Sequence, residues 1–278
     1  SSSALSQQSF GQLEGVRGIK KNQIQTFFKE RQGDMGVLVE MVGMLRKEAF
    51  DKLKAIEEIK KNQIEGYFRD AFLQMQVFGR SADVFTLFEK LRQYHQDTGV
   101  TATGAYDVTT PEYKKLYEGF AGALNKFYKD AGYYDIFVIC AKHGHVMYSA
   151  EKERDLGTNL GHGPYKDSGL AKLWEKVVQT GKNAVVDFSP YAPSNNEPAA
   201  FAGCPIKAPG GEVIGVIAFQ LSIDKINEIM NERNGLGKTG ETYLIGPDKL
   251  MRSDSFLDPA NHSVKASFAK PEKGSVNT

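Results

Sequence analysis

DIFVICAKHGHVMYSA, residues 135–150, is the stretch on which the fold turns. An apolar run leads into His-Gly-His and a second apolar run follows, the pattern of a β-hairpin. Ile136, Val138 and Cys140 alternate with Phe137 and Ile139. Both faces of the first strand are therefore apolar, and both must be covered. ETYLIGPDKLMRSD, residues 241–254, reads as a second hairpin around Gly-Pro-Asp. A full module's length of chain follows the first hairpin, and only a short stretch follows the second.

Downstream of the first hairpin the elements can be read in order. Residues 155–168 are loop-like, and GLAKLWEKVVQT (169–180) is a short helix stopped by Gly181. Residues 183–188 form a strand, SPYAPSNNEP (189–198) a proline-rich turn, and 199–207 and 212–222 two further strands. A helix over 223–233 and a glycine-rich link close the series. Five antiparallel strands with accompanying helices predict an α+β layer.

Upstream, the first proline is Pro111. Before it, apolar residues recur at helical spacing: Leu13, Val16, Ile19, Ile24, Phe27 and Phe28, then Leu53, Ile56, Ile59, Ile64, Phe68, Phe72, Met75 and Phe78. The stripe predicts long amphipathic helices over most of 10–95. Gly33, Gly36 and Gly43 weigh against one unbroken rod. KKNQIQTFF at Lys20 recurs as KKNQIEGYF at Lys60, with Ile24 matching Ile64 and Phe28 matching Phe68. Both copies present the same face to a partner, and Lys20, Lys21, Lys60 and Lys61 read as a solvated face. Thr109 or Thr110 caps a helix over 111–131, with Pro111 in its first turn.

Composition narrows the function. Hydrophobic residues make up 41% and charged residues 25% of the 278, as in an ordinary folded protein. Thirty-five basic and 34 acidic residues give a net charge of +1, so nothing in the charge balance points to nucleic acid. The longest apolar run, 37–45, is far short of the ~20 residues that span a bilayer. Cys140 and Cys204 sit in strand-like runs and read as free, buried thiols. GLGKTG (235–240) matches G-x-G-x-x-G but follows a helix and opens a strand, the reverse of a dinucleotide fingerprint. His143 and His145 form an H-x-H pair with no third ligand evident, and a hairpin turn predicts that they are exposed; no metal site and no cofactor are expected. No serine-hydrolase, zincin or paired-acid pattern occurs, so the chain does not read as an enzyme.

The ordered series resembles the Cache-type, extracellular PAS-like sensor region of bacterial chemoreceptors and sensor kinases. The resemblance rests on the long entry helix, the 135–150 hairpin, the short Trp-containing helix, and the run VVDFSPY, AAFAGCPIK, EVIGVIAFQLS at 185–222. GLGKTGETYLIGPDKLMRSDS (235–255) resembles the join into the membrane-proximal module of a double Cache domain. The resemblance covers roughly residues 50–260. It implies an α+β chain in three parts: long N-terminal helices (1–110), a PAS-like five-stranded antiparallel module that binds a small molecule (111–234), and the start of a second, truncated module (235–278). It further implies the periplasmic part of an inner-membrane receptor, a homodimer through the N-terminal helices, and a signal relayed along the long helix. The alternative is a structural or interaction module with a helical stalk and no ligand. The stripe at 53–78 would serve the dimer, or be consumed by packing on the modules.

A PAS-like pocket would draw on residues 160–175 and on the later strands. Tyr148, His162, Tyr165, Trp174, Asp187, Tyr191, Phe201 and Phe219 supply aromatic walls with polar tips there. Asp187 could pair with an amine or hydrogen-bond the following turn. Trp174 could be core or ligand contact. Many amino-acid-binding members carry an Arg-x-Trp-Tyr type motif on the short helix. Here the stretch is Lys172-Leu173-Trp174-Glu175, without the guanidinium that clamps a carboxylate. The ligand's class therefore stays open among amines, amino acids and organic acids.

Overall fold

The computed structural model describes residues 2–276, with side chains from Leu5 onward. The chain divides into two compact units, Ser1–Ile59 and Lys60–Thr278. Helix α1 (Ser2–Gly79) runs unbroken through Gly33, Gly36 and Gly43. Each glycine costs about 1 kcal/mol relative to alanine, and cooperative propagation through the good helix formers around them carries the helix past all three. In the first unit the apolar side chains stay exposed: Leu13 is 65%, Ile24 55% and Phe28 65% accessible. Among the described residues no helix is long and apolar enough to cross a membrane.

In the second unit the same helical stripe is buried. Ile64, Ala71 and Met75 enter the core. They are joined by α2 (Ala82–Asp97), capped by Ser81, and α3 (Pro111–Phe120), capped by the Thr110 hydroxyl on Tyr113 N. The expected single helix over 111–131 is two, interrupted at Ala121 (φ −86°, ψ −5°) before α4 (Gly122–Ala131). Then come β1 (Asp135–Cys140), β2 (Val146–Ser149), α5 (Gly169–Thr180), β3 (Ala184–Tyr191), β4 (Glu197–Lys207), β5 (Val213–Gln220) and α6 (Ile223–Met230). Helix α5 starts at the Ser168 cap and stops at Gly181, which takes a positive φ. Both cysteines are free thiols, Cys204 buried and Cys140 half-buried.

The five strands form one antiparallel sheet, β2-β1-β5-β4-β3, giving a mixed α+β, PAS-like module. Register fixes which residues share a face. Ile136 opposes Phe219 and Val138 opposes Ile217, and these look toward α1–α4. Phe137 opposes Ala218 and Ile139 opposes Val216, and these look toward α5. Close approach is needed where α2 crosses β5: a Cβ on Gly215 would stand 2.5 Å from the ring of the fully buried Phe88.

Three further sequence expectations change. The stretch 241–254 forms a single bridge, Ile245 with Met251, instead of two strands. The chain does turn back on itself there, with Gly246 N donating to Leu250 O (2.9 Å) and Arg252 N to Leu244 O (2.6 Å). The ladder goes no further, because Leu244 N donates to Ser253 Oγ and Met251 N to Ser267 Oγ. Three short helices follow, α7 (Pro259–His262), α8 (Val264–Ala269) and α9 (Pro271–Gly274). Strand β3 runs on past Phe188, through an irregularity between Val186 and Ser189, so Tyr191 ends a strand instead of lying in a loop. Lys60 is not on a solvated face: it is 6% exposed, and its ammonium donates to Ile229 O (2.5 Å) at the C-terminal turn of α6. An exposed glutamate, Glu232, lies 3.5 Å away. A helix C-terminus with unsatisfied carbonyls is a favourable place for a cation.

Lys60→Ala leaves the Ile229 carbonyl without its donor and should cost about 1–3 kcal/mol in a denaturant titration; an unchanged midpoint would show the contact to be idle. Gly215→Ala should cost a similar ~1–3 kcal/mol through overpacking against Phe88, read as a lower melting temperature.

Candidate functional site

The eight residues singled out from the sequence fall into three groups. Tyr148 and Phe219 are fully buried on the α1–α4 face. Tyr148 donates to Asn125 Oδ1 (2.7 Å) and stacks on Tyr117, while Phe219 packs on Tyr133 at 4.4 Å between ring centres. Tyr165, Trp174, Tyr191 and Phe201 lie together on the α5 face. His162 and Asp187 are exposed. Strand alternation separates Phe219 from Phe201, since the residues opposite Phe201 and Ala202 on β5 are Gln220 and Phe219.

Asp187 already has a cation. Arg252 Nε and Nη2 each donate to it at 2.8 Å, a two-pronged pair, and Asp248 accepts from the same guanidinium at 3.0 Å. Asp187 also accepts from Phe188 N, within the irregular stretch of β3. The pair ties residues 248–252 to β3. Trp174 is half-buried; its indole donates to Cys140 O (3.0 Å) and its ring lies against Gly144 of the hairpin turn.

Around Tyr191 and Phe201, the structure assembles acids that the sequence did not single out. The two rings meet edge to face at 4.9 Å between centres. Tyr191 Oη donates to Asp155 Oδ2 at 2.5 Å, and both residues are fully buried. Ser194 donates to Glu153 (2.6 Å) and accepts from Gln220 Nε2 (3.4 Å). Asp135 lies at the start of β1, paired in register with Gln220 at the end of β5. Two acceptors here are buried with no partner, Asp155 Oδ1 and Gln220 Oε1. The cluster therefore has more buried acceptors than donors, a site that complements a cationic donor such as an ammonium.

The two aspartates differ. Asp135 is saturated: Oδ1 accepts from Ile136 N, Ala150 N and Glu151 N, and Oδ2 from Ser149 Oγ. It organises the loop leaving β2. Burial nevertheless pushes it up to about 7, with Asp155 adding to the rise and the hydrogen bonds opposing it. Burial raises Asp155 to about 6, Tyr191 lowering it and Glu153 raising it. The Tyr191 phenol is pushed well above its ordinary value by burial and then by Asp155.

The expected exposure of the H-x-H pair is overturned at His145, which is fully buried. The C-terminal turn of α2 packs over the hairpin turn and brings up a third histidine, His95, whose Nε2 lies 3.1 Å from His145 Nδ1. Nothing local in the sequence joins residues 50 positions apart. For Asp135 a signal was present, a carboxylate heading a wholly apolar strand; for Asp155 there was none.

No protein-family model matches the chain, and no curated protein matches it. Among solved structures it is similar to the ligand-binding domain of the Pseudomonas aeruginosa PAO1 amino acid chemoreceptor PctC in complex with GABA, at 12% identity over 82% of this chain and 83% of that one, TM-score 0.47. It is similar to the sensor domain of the V. cholerae histidine kinase DctB, at 14% identity over 72% and 71%, TM-score 0.38. It is also similar to the sensory domain of the Campylobacter jejuni chemoreceptor Tlp3 (CcmL), at 12% identity over 75% and 79%, TM-score 0.36. These likenesses are in fold, and none of them fixes a residue of this chain's site.

A carboxyl whose folded value lies above its unfolded 3.8 holds an extra proton in the native state, so its contribution to stability is lost as pH rises through the folded value. Histidines lowered by burial act in the opposite sense below their unfolded value of about 6.5. The acid effect therefore stands alone above about pH 6.5, where stability should fall toward about pH 8 as Asp135 ionises. Asp135→Asn should flatten that limb of the melting-temperature profile; an identical profile would show that Asp135 titrates at its ordinary value.

Proposed function

We propose that residues 60–276 are the ligand-binding module of a Cache-type bacterial sensor, working on the extracytoplasmic side of an inner-membrane receptor. The supporting architecture is a sheet in the order β2-β1-β5-β4-β3, covered by the end of a long entry helix on one face and a short helix on the other. The observation that carries ligand binding is the acceptor-rich cluster under α5. Asp155, Tyr191 and Gln220 present buried oxygens, two of them unpartnered, beside the aromatic walls of Tyr191 and Phe201. That chemistry favours a small ligand with a protonated amine over a lone carboxylate, for which Lys172-Leu173-Trp174-Glu175 offers no guanidinium clamp. Binding is the activity proposed; no catalysis is part of this reading.

A signal from this site has a physical route to α1. Phe201 and Tyr191 touch one face of the sheet, and Met75 lies in the core on the other. Cys204 Sγ on β4 donates to Met75 O (3.4 Å), and Tyr133, packed on Phe219, donates to Gln74 Oε1 (2.6 Å). A ligand that binds one arrangement of sheet and helix better than another shifts the population toward it. The exposed apolar side chains along residues 5–59 suit pairing with a second copy of the chain.

One observation favours the alternative, a PAS-like module with a helical stalk and no ligand. Phe137, Tyr191 and Phe201 are fully buried and pack with Leu173 and Val177 of α5, so side chains already fill the space under that helix. A thermal-shift screen of amines, amino acids, organic acids and purines separates the two. A ligand at 100 times its Kd stabilises by about 2.7 kcal/mol. An amine-bearing compound should raise the melting temperature, and Asp155→Asn and Tyr191→Phe should abolish the shift. If no compound class moves the transition, the ligand-free module is the correct reading.

A further inference from the structure

We propose that His95, His143 and His145 form a binding site for a divalent first-row transition ion of the zinc, nickel or copper class. The site lies at the opposite end of β1 from Asp135 and stands or falls independently of the amine site. One ring nitrogen from each histidine lies within 4.8 Å of the others. Tetrahedral zinc with bonds of about 2.0–2.1 Å holds its nitrogens about 3.3 Å apart. His95 Nε2 and His145 Nδ1, at 3.1 Å, are already at that spacing. His143 is half-buried, and a ring movement of about 1.5 Å or less completes the set.

The surroundings fix which nitrogen of His145 is available. Asn159 Oδ1 accepts from Gly161 N (2.9 Å) and His162 N (3.0 Å), so its other terminal atom is the amide nitrogen, which donates to Ala102 O (2.9 Å). His145 Nε2 has two polar neighbours, Gly104 O at 2.9 Å and the Asn159 amide nitrogen at 3.1 Å. The amide hydrogens are taken by Ala102 O and Gly104 O (3.4 Å), and the closer neighbour is a pure acceptor, so Nε2 carries the proton. Nδ1 then keeps its lone pair and faces His95. A backbone carbonyl holding the far nitrogen of a histidine is the outer-shell arrangement of protein metal sites. In the metal-free chain the His95 Nε2–H donates to that lone pair; with a metal bound His95 takes the other tautomer and offers its own.

Packing alone leaves something unexplained. His143 Nδ1 is buried with no hydrogen-bond partner, although buried polar atoms are as a rule satisfied. Gly144, between His143 and His145, has a φ of 77° and is pressed against Trp174, so the turn is held in one shape. Burial lowers all three histidines, which favours neutral imidazoles. His95 and His143 also line a cavity of about 550 Å³, which provides an entry path and an open fourth position for water or another ligand. Of the cations there, Arg92 is paired with Glu89 at 2.6 Å and Lys142 is exposed. Imidazole nitrogens select zinc, nickel and copper over the oxygen-seeking magnesium and calcium.

The test uses the full chain freed of any purification tag. Calorimetric titration with Zn(II), Ni(II) and Cu(II), with metal analysis after dialysis, should find one ion per chain and a raised melting temperature. Ca(II) and Mg(II) should not bind. His95→Gln and His143→Gln replace half-buried side chains, and each should weaken binding by more than the about 10–100-fold that loss of an outer-shell partner costs. A readout without mutation is the ring ¹⁵N spectrum: of the five histidines, three should shift on adding Zn(II), while His162 and His262 stay. Absence of a stoichiometric ion, equal binding of Ca(II), or perturbation of His162 or His262 in place of the triad would each overturn the proposal.

Discussion

A sheet that is apolar on both faces cannot leave either in water, and the rest of the second unit is arranged around that constraint. Each buried aromatic removes roughly 150–250 Å² from solvent, worth several kcal/mol at about 25 cal/mol per Å². A helix cap or an exposed ion pair contributes about 1 kcal/mol or less. The covering of Phe137 and Phe201 on one face, and of Ile136, Val138, Ile217 and Phe219 on the other, therefore outweighs local preference. It explains why the end of α1 buries Ile64, Ala71 and Met75.

Against that apolar background, the polar groups taken out of water stand out. Asp135 is fully hydrogen-bonded and acts as a scaffold for the loop beside it. Asp155, Gln220 and His143 each retain a buried atom without a partner. A fold under no other demand would replace such atoms or satisfy them. Tyr67 and Asn231 also keep such an atom elsewhere, but at the two ends of β1 the unpartnered atoms sit within groups, one acidic and one imidazole-rich.

The sequence was legible where information is local. Ser168 and Gly181 bracket α5, Thr110 caps α3, and alternation in DIFVIC announced a strand buried on both sides. It was less legible where chains meet. The 241–254 stretch reverses as its local turn chemistry and apolar flanks announced, but full strands also need further backbone partners, and side chains such as Ser253 and Ser267 take some of those bonds. Asp187 could be read as a possible amine contact because Arg252, 65 residues away, was not visibly its neighbour.

By itself the sequence determined the element types and order from the first hairpin to α6, and the two-faced burial of the sheet, since periodicity, caps and breakers act within a few residues. Tertiary structure alone decided which side chains share a site. Register sends Phe201 and Phe219 to opposite faces although both lie on neighbouring strands. Docking of α2 on the β1–β2 turn brings His95 to His145, and the end of β3 brings Tyr191 to Asp155. Contacts of this kind depend on how separate elements pack, and no pattern within either element encodes them.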